Sequence, residues 1–191
     1  VALSRKLGLP LYATSGTHSV IQRLPDELRH VVRAHDTLEL GAFRARVVPV
    51  PHDGRESVCF RLDETATGRS LGIVTDLGYV PKSVVDAFVG ITGLVVELNH
   101  DERMLVEGPY PEMLKRRIRG PHGHLSNAQG AELAAALVHD GLRTTVLAHL
   151  SETNNTPALA LAAFESANRH APASMALHVG EPKRPLAPFE A

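Results

Sequence analysis

Three stretches of the chain run into a residue that binds metal ions well. His52 follows the alternating stretch Phe43–Val48, Asp76 closes the apolar run Ser70–Thr75, and His149 follows Thr144–Leu147. Neutral imidazoles with a carboxylate suit zinc, manganese or iron better than calcium, which prefers oxygen ligands. Singly, each is an ordinary residue, because loop histidines cap and solvate freely and Asp-Leu-Gly is a common turn. Their weight is collective, since strand tips at one edge of a sheet are the places from which side chains converge. A fourth candidate, His124, lies in Gly123-His124-Leu125-Ser126-Asn127. Hydroxyl and amide neighbours there can fix its ring for proton transfer, although Ser126 and Asn127 also read as a helix cap. His100-Asp101 is read as support, with Asp101 suited to a helix start, and His18, His30, His35, His139, His170 and His178 are read as ordinary.

Holding such residues at strand tips requires strands alternating with helices. Phe43–Val48 and Val58–Leu62 repeat at a period of two, as half-buried strands do, with the turn Pro51-His52-Asp53-Gly54 between them. Ser70–Thr75, Gly93–Leu98 and Thr144–Leu147 are apolar strands, Leu11–Ala13 is a short one and Met175–Val179 an edge strand. Helices are expected over Ala2–Leu7, after Ser15, from Pro25, and over Pro81–Phe88, Pro111–Ile118 and Ala128–His139. A last one follows the Asn154-Asn155-Thr156-Pro157 loop to Arg169. The alternation predicts a layered α/β architecture.

The chain has 191 residues, 43% hydrophobic and 21% charged, which suits one globular domain. That domain is expected over residues 1–180, with the Pro- and charge-rich residues 181–191 as a disordered tail. Twenty basic against 21 acidic side chains leave a net charge of −1, so no global field draws nucleic acid or a membrane. A nucleic-acid partner must rest on a local patch, and Lys115, Arg116, Arg117 and Arg119 form one just before the His124 loop. The single cysteine, Cys59, excludes an internal disulfide and reads as a core thiol. No apolar run approaches the roughly 20 residues of a membrane helix, so the cytoplasm is the expected compartment. The chain begins with Val1 rather than Met and is expected to be a piece of something longer.

Taken in order, His52-Asp53, Thr75-Asp76-Leu77-Gly78, Glu97-Leu98-Asn99-His100-Asp101, Met104-Leu105, Gly108-Pro109-Tyr110-Pro111, Leu114-Lys115-Arg116-Arg117-Ile118, Gly123-His124-Leu125-Ser126-Asn127 and His149-Leu150-Ser151 to Asn154-Asn155-Thr156-Pro157 form a specific series. The series closely resembles the YycJ/WalJ/VicX-type branch of the metallo-β-lactamase-fold hydrolases over nearly the whole chain. The resemblance implies an αββα sandwich, N-terminally incomplete here, with two divalent ions, zinc or manganese, at one edge of its sheets. It implies hydrolysis of phosphodiester bonds, first of all by a DNA exonuclease. Under it His52, Asp76 and His149 are metal ligands, with Asp76 bridging the ions, and His124 is the non-ligand histidine beside the scissile phosphate. Asp76 and His124 thus carry the catalysis. Lys115, Arg116, Arg117, Arg119, Asn127 and Asn154 are expected on the substrate, and His100 and Asp101 in support.

The family's His-x-His-x-Asp-His cluster is not among these 191 residues. In relatives it falls shortly before the segment matching Ala2–Lys6, so the other ligands and the first strands are expected upstream of Val1. The 191 residues alone are then expected to hold metal weakly and to hydrolyse little. The alternatives are a small-molecule or cyclic phosphodiesterase and a catalytically silent nucleic-acid-binding scaffold. A homo-oligomer is left open.

Overall fold

The structure, a computed structural model, describes residues 1–188. Strands β1 (Leu11–Ala13) and β2 (Arg29–Val31) form a short parallel pair. The apolar alternation of the middle of the chain becomes a seven-stranded sheet. Its strands are hydrogen-bonded in chain order: β3 (Thr37–Leu40), β4 (Phe43–Pro49), β5 (Val58–Glu64), β6 (Ser70–Val74), β7 (Gly93–Glu97), β8 (Thr144–Ala148) and β9 (Ala176–Val179). The pairings β3–β4, β4–β5 and β5–β6 are antiparallel, whereas β6–β7, β7–β8 and β8–β9 are parallel. β4, β6, β7 and β8 therefore point the same way, and their C-terminal ends open onto one edge. In sheets of this kind the crevice beyond the carboxyl ends is where ligands bind.

Parallel neighbours need crossovers, and helices supply them. α3 (Lys82–Phe88) links β6 to β7, and α4 (Glu102–Glu107), α5 (Glu112–Arg119) and α6 (Asn127–Leu137) link β7 to β8. α7 (Pro157–Ala167) leads to β9, while α1 (Ala2–Leu7) and α2 (Ser15–Val20) flank β1. α6 packs on α7, α3 and β7, and the core lies between these helices and the sheet around Phe88, Ile91, Leu94, Val96, Leu98, Leu133, Leu147 and Phe164. Burying each such side chain contributes about 1.5–3 kcal/mol. Gly130 lets α6 close on the sheet, because a Cβ there would stand 2.0 Å from the Glu97 carbonyl oxygen. On the sheet's other face Phe60, Leu71, Ile73 and Val95 are only partly covered, and Leu11–Ala13 share a cleft with Val50, Val58 and Phe60.

Two readings change. Pro25 opens only a 3-10 turn, Asp26–Leu28, because Arg29 donates to the carbonyls of Leu24, His18 and Ile21 and draws the chain at once into β2. β3 was hidden in the sequence by its brevity and is held as a hairpin partner of β4. In the stretch expected to be a disordered tail, Glu181 bridges Arg184, and Lys183 Nζ donates to Glu152 Oε2 at 2.6 Å. Residues 189–191 of that tail lie outside the described residues. No helix among the described residues is long and apolar enough to cross a membrane.

Candidate metal centre

At the shared edge, the turn after β4 carries His52, the end of β6 carries Asp76, and the end of β8 carries His149. The loop before α6 brings His124 between them. Asp76 Oδ1 lies 3.6 Å from His52 Nε2, 3.7 Å from His149 Nε2 and 3.8 Å from His124 Nδ1. Ligands of one tetrahedral ion stand at a similar separation, roughly 3.4 Å for metal bonds near 2.1 Å. The three imidazoles form a row, with ring centroids 5.0 Å apart for His52–His124 and 5.1 Å for His124–His149.

The second partner of each ring sets its tautomer. His52 Nδ1 lies 2.9 Å from the Gly123 carbonyl, which can only accept, so Nδ1 carries the proton and Nε2 keeps its lone pair towards Asp76. His149 and His124 each place Nδ1 on Glu97 Oε1, at 2.9 and 2.7 Å. His149 thereby leaves Nε2 towards Asp76, as His52 does. His124 differs, because the nitrogen it turns to Asp76 is the one already bonded to Glu97.

Glu97 had no assigned role in the sequence, where it stands inside the apolar stretch Gly93–Leu98; in the structure it is the last residue of β7. It is fully buried, and its other oxygen accepts the Leu77 N–H at 2.9 Å. Burial pushes its carboxyl up, but the bonds from His124, His149 and Leu77 outweigh burial and hold it below the usual carboxylate range. The same bond lifts the His149 imidazole above its ordinary value against the opposing effect of burial. The signal available in the sequence was a carboxylate closing an otherwise buried strand, a placement that demands partners.

The backbone is unusual at two of these positions. Asp76 has φ 62° and His149 φ 59°, left-handed values that cost about 1–3 kcal/mol at a non-glycine residue and cluster at functional sites. Asn99 Nδ2 donates to the His149 carbonyl at 2.9 Å and holds that turn. Asn155 Nδ2 binds the Leu98 and Asn99 carbonyls and the Asn127 amide oxygen, tying three loops together. Gly123 lets the His124 loop pass against α5, since a Cβ would meet the Ile118 carbonyl oxygen at 2.1 Å, while that carbonyl accepts the His124 N–H.

Other sequence candidates fall elsewhere. Lys115 is buried, with Nζ on the Val106 carbonyl at 2.6 Å, because it lies on the face of α5 turned to α4. It is not free to meet substrate. Arg116 and Arg119 are exposed, and Arg117 lines the pocket over the histidines while its Nε donates to Asp53 Oδ2 at 2.6 Å. That bond lowers the Asp53 carboxyl. Asn127, expected on substrate, is buried and paired with Asn155 at 2.9 Å. Asn154, also expected there, is turned inward beneath Gly108 by a turn in which Ser151 Oγ accepts its N–H. Asp101 caps α4 by accepting the Met104 N–H, and His100 is buried behind the cage. Ser126 and Gln129 form a capping box at α6, so the capping role and the placement of His124 coexist.

Two ligand groups can be drawn from this geometry. His52, Asp76 and His124 form one, and Glu97, His124 and His149 form the other, each with its ligand atoms within 4.8 Å of one another. Imidazole and carboxylate fit zinc or manganese in either.

No family model matches the chain. Exodeoxyribonuclease YycJ of Bacillus anthracis is 33% identical over 162 residues, 83% of this chain and 61% of that protein. Exodeoxyribonuclease WalJ of Streptococcus pneumoniae serotype 2 is 30% identical over 164 residues, 83% of this chain and 60% of that protein. The chain thus spans about three fifths of the length of these curated relatives. Among solved structures, the metallo-β-lactamase fold protein YhfI from Bacillus subtilis superposes with a TM-score of 0.65 at 13% identity, over 94% of this chain and 66% of that one. Zinc-bound PqqB from Methylobacterium extorquens gives 0.62 at 19% identity, over 93% and 65%. The sheet, its C-terminal crevice and these superpositions agree on the metallo-β-lactamase fold, and over 83% of its length the chain is similar in sequence to YycJ and WalJ.

Proposed function

We propose that this chain serves the metal-dependent hydrolysis of phosphodiester bonds in DNA, as an exonuclease. The observation that carries the reading is the convergence of His52, His124 and His149 on Asp76 Oδ1 in a pocket that also holds Arg117. The exodeoxyribonuclease names belong to YycJ and WalJ, and they support the choice of DNA over other phosphodiesters. The reading includes a cytoplasmic location, where chromosomal DNA would be met.

His52, Asp76 and His149 would hold the metal, two zinc or manganese ions in the full reading. Ions bound there supply Lewis acidity to the phosphoryl oxygens and lower the pKa of water to near neutrality. The protein's own groups do the rest. Gly123 and Glu97 fix the ring orientations, so the ligand nitrogens need no reorganisation. Glu97 orients His124 through Nδ1, which leaves Nε2 facing the phosphate, where the doubly protonated ring would donate to a phosphoryl oxygen or give its Nε2 proton to the departing oxygen. Arg117 adds a positive charge at the pocket wall.

The test uses the protein expressed from its complete reading frame, with zinc or manganese and with chelator. Metal-dependent release of mononucleotides from linear but not circular DNA is the expected result. Hydrolysis of cyclic or small diesters alone would move the assignment to a small-molecule phosphodiesterase. Metal-loaded protein that binds DNA without cutting it would make it a scaffold.

A further inference from the structure

The pocket over the histidines has two unlike sides. Its floor is His52, Asp76, His124 and His149, but the α5 wall is apolar: Tyr110, Leu114 and Ile118 follow one another at a spacing of four. Leu114 and Ile118 are one turn apart on α5, and Tyr110 precedes its first turn across Pro111. All three are only partly covered, unlike the core side chains behind them. Beside this stripe stands Arg117, whose Nε and Nη2 engage Asp53 and whose Nη1 has no partner among the described residues. An apolar strip with one aromatic ring, one cation and a polar floor is the composition that takes a flat ring carrying a phosphate.

The cavity measures about 700 Å³, within the roughly 300–1,000 Å³ typical of sites for one small ligand. One nucleotide fits such a space. The cavity lies between α5 on one side and the Ser151–Thr153 turn on the other. From this wall and this size we infer that the strand end enters as a single unpaired nucleotide, its base lying on Tyr110, Leu114 and Ile118 and its phosphate between Arg117 and the histidines. The inference rests on the nuclease reading and adds the subsite to it. A blunt duplex must then open its last pair to bind, and a strand with an unpaired end binds without that step.

The wall and the base are tested together in a double-mutant cycle. Zinc-loaded protein is titrated by fluorescence anisotropy into oligonucleotide duplexes whose terminal linkage is a phosphorothioate, with the end paired, mismatched or abasic. Wild type is expected to bind the mismatched end more tightly than the paired one. Tyr110→Ala should weaken binding of the mismatched end roughly 5- to 100-fold, the range for one stacked base, and should change the abasic end less than twofold. Tyr110→Phe should keep the wild-type pattern. Leu114→Gln provides the same reading should Tyr110→Ala fold poorly. Equal losses on mismatched and abasic ends would overturn the base subsite while leaving the nuclease reading intact. Failure of wild type to bind any of the duplexes would remove that reading, and this inference with it.

Discussion

The imidazole cage and the α5 wall face each other across one pocket, yet they are built on opposite rules. His52, Asp76, His124 and His149 come from four separate segments, and each of the three rings or its backbone is held from behind by the Gly123 carbonyl, Glu97 or Asn99. The wall comes from one helix of eight residues and the short segment before it. Three of the helix's four cations are exposed, and one of them, Arg117, is joined to the opposite loop through Asp53. Chemistry at a phosphorus atom requires positions fixed within a fraction of an ångström, so rigidity is built behind the cage. Gripping a backbone tolerates long side chains in solvent, so the wall is anchored at few points.

The hardest test of this contrast is Glu97→Ala. It leaves the Leu77 N–H, which is wholly buried, and the mostly buried His124 ring without their acceptor. Each buried donor so stranded costs about 1–3 kcal/mol, so a fall of about 2–6 kcal/mol is expected in urea unfolding. Arg116→Ala, on the exposed helix face, should stay within about 0.5 kcal/mol of wild type. Equal falls in the two variants would break the distinction.

His124→Ala probes the cage by function. Turnover is expected to fall about 10²–10⁴-fold, the range for a positioned acid–base group. Metal content should stay intact, because the nitrogen His124 turns to Asp76 already bonds Glu97. Loss of an ion by elemental analysis would place His124 among the ligands and enlarge the ligand set from three residues to four.

On the wall the effects are smaller and salt-dependent. Arg116→Ala with Arg119→Ala should lower the log–log salt slope of DNA binding by about 0.9 for each duplex phosphate that is no longer neutralised. Lys115→Met should leave that slope unchanged, because the ammonium lies on the Val106 carbonyl. A slope that fell with Lys115→Met would mean that the buried lysine swings out to meet the backbone, and the wall would then be less anchored than described.

The same contrast governs what was legible from the residues. The strands of the large sheet other than β3, and the helices α3, α5, α6 and α7, follow period and punctuation closely, because hydrophobic alternation and Pro or Gly boundaries are local signals. The cage residues were visible as strand tips, since a polar ligand after an apolar run is also local. Glu97 was not, because its role depends on two histidines 27 and 52 residues away. The basic run was visible as charge, but which of its members turns inward depends on α4 lying behind it, and the burial of Lys115 was therefore not visible. Asn127 and Asn154 looked like substrate ligands for the same reason: an exposed amide and one that ties loops together are identical in sequence.

The smallest effect concerns the joint between the two regions. His100 lies between β7 and α4, buried, with Nδ1 unpartnered among the described residues. Burial holds its imidazole below the ordinary value of 6.5, against the opposing pull of Glu102, Glu97 and Asp101. The unfolded chain therefore takes up this proton first as pH falls. Stability from neutral His100 is full above about pH 6.5 and is lost as pH drops towards the depressed value. His149 acts with the opposite sign: its raised imidazole contributes fully at low pH, and that contribution is lost as pH rises through the raised value. His149 thus adds stability as pH falls from its raised value towards 6.5, and His100 removes it below 6.5. Replacing His100 by Leu removes only the acid loss, so the urea midpoint of His100→Leu should fall less below pH 6.5 than that of wild type. Identical falls would show that the joint takes no proton in this range, and that acid weakens the two regions through other carboxylates alike.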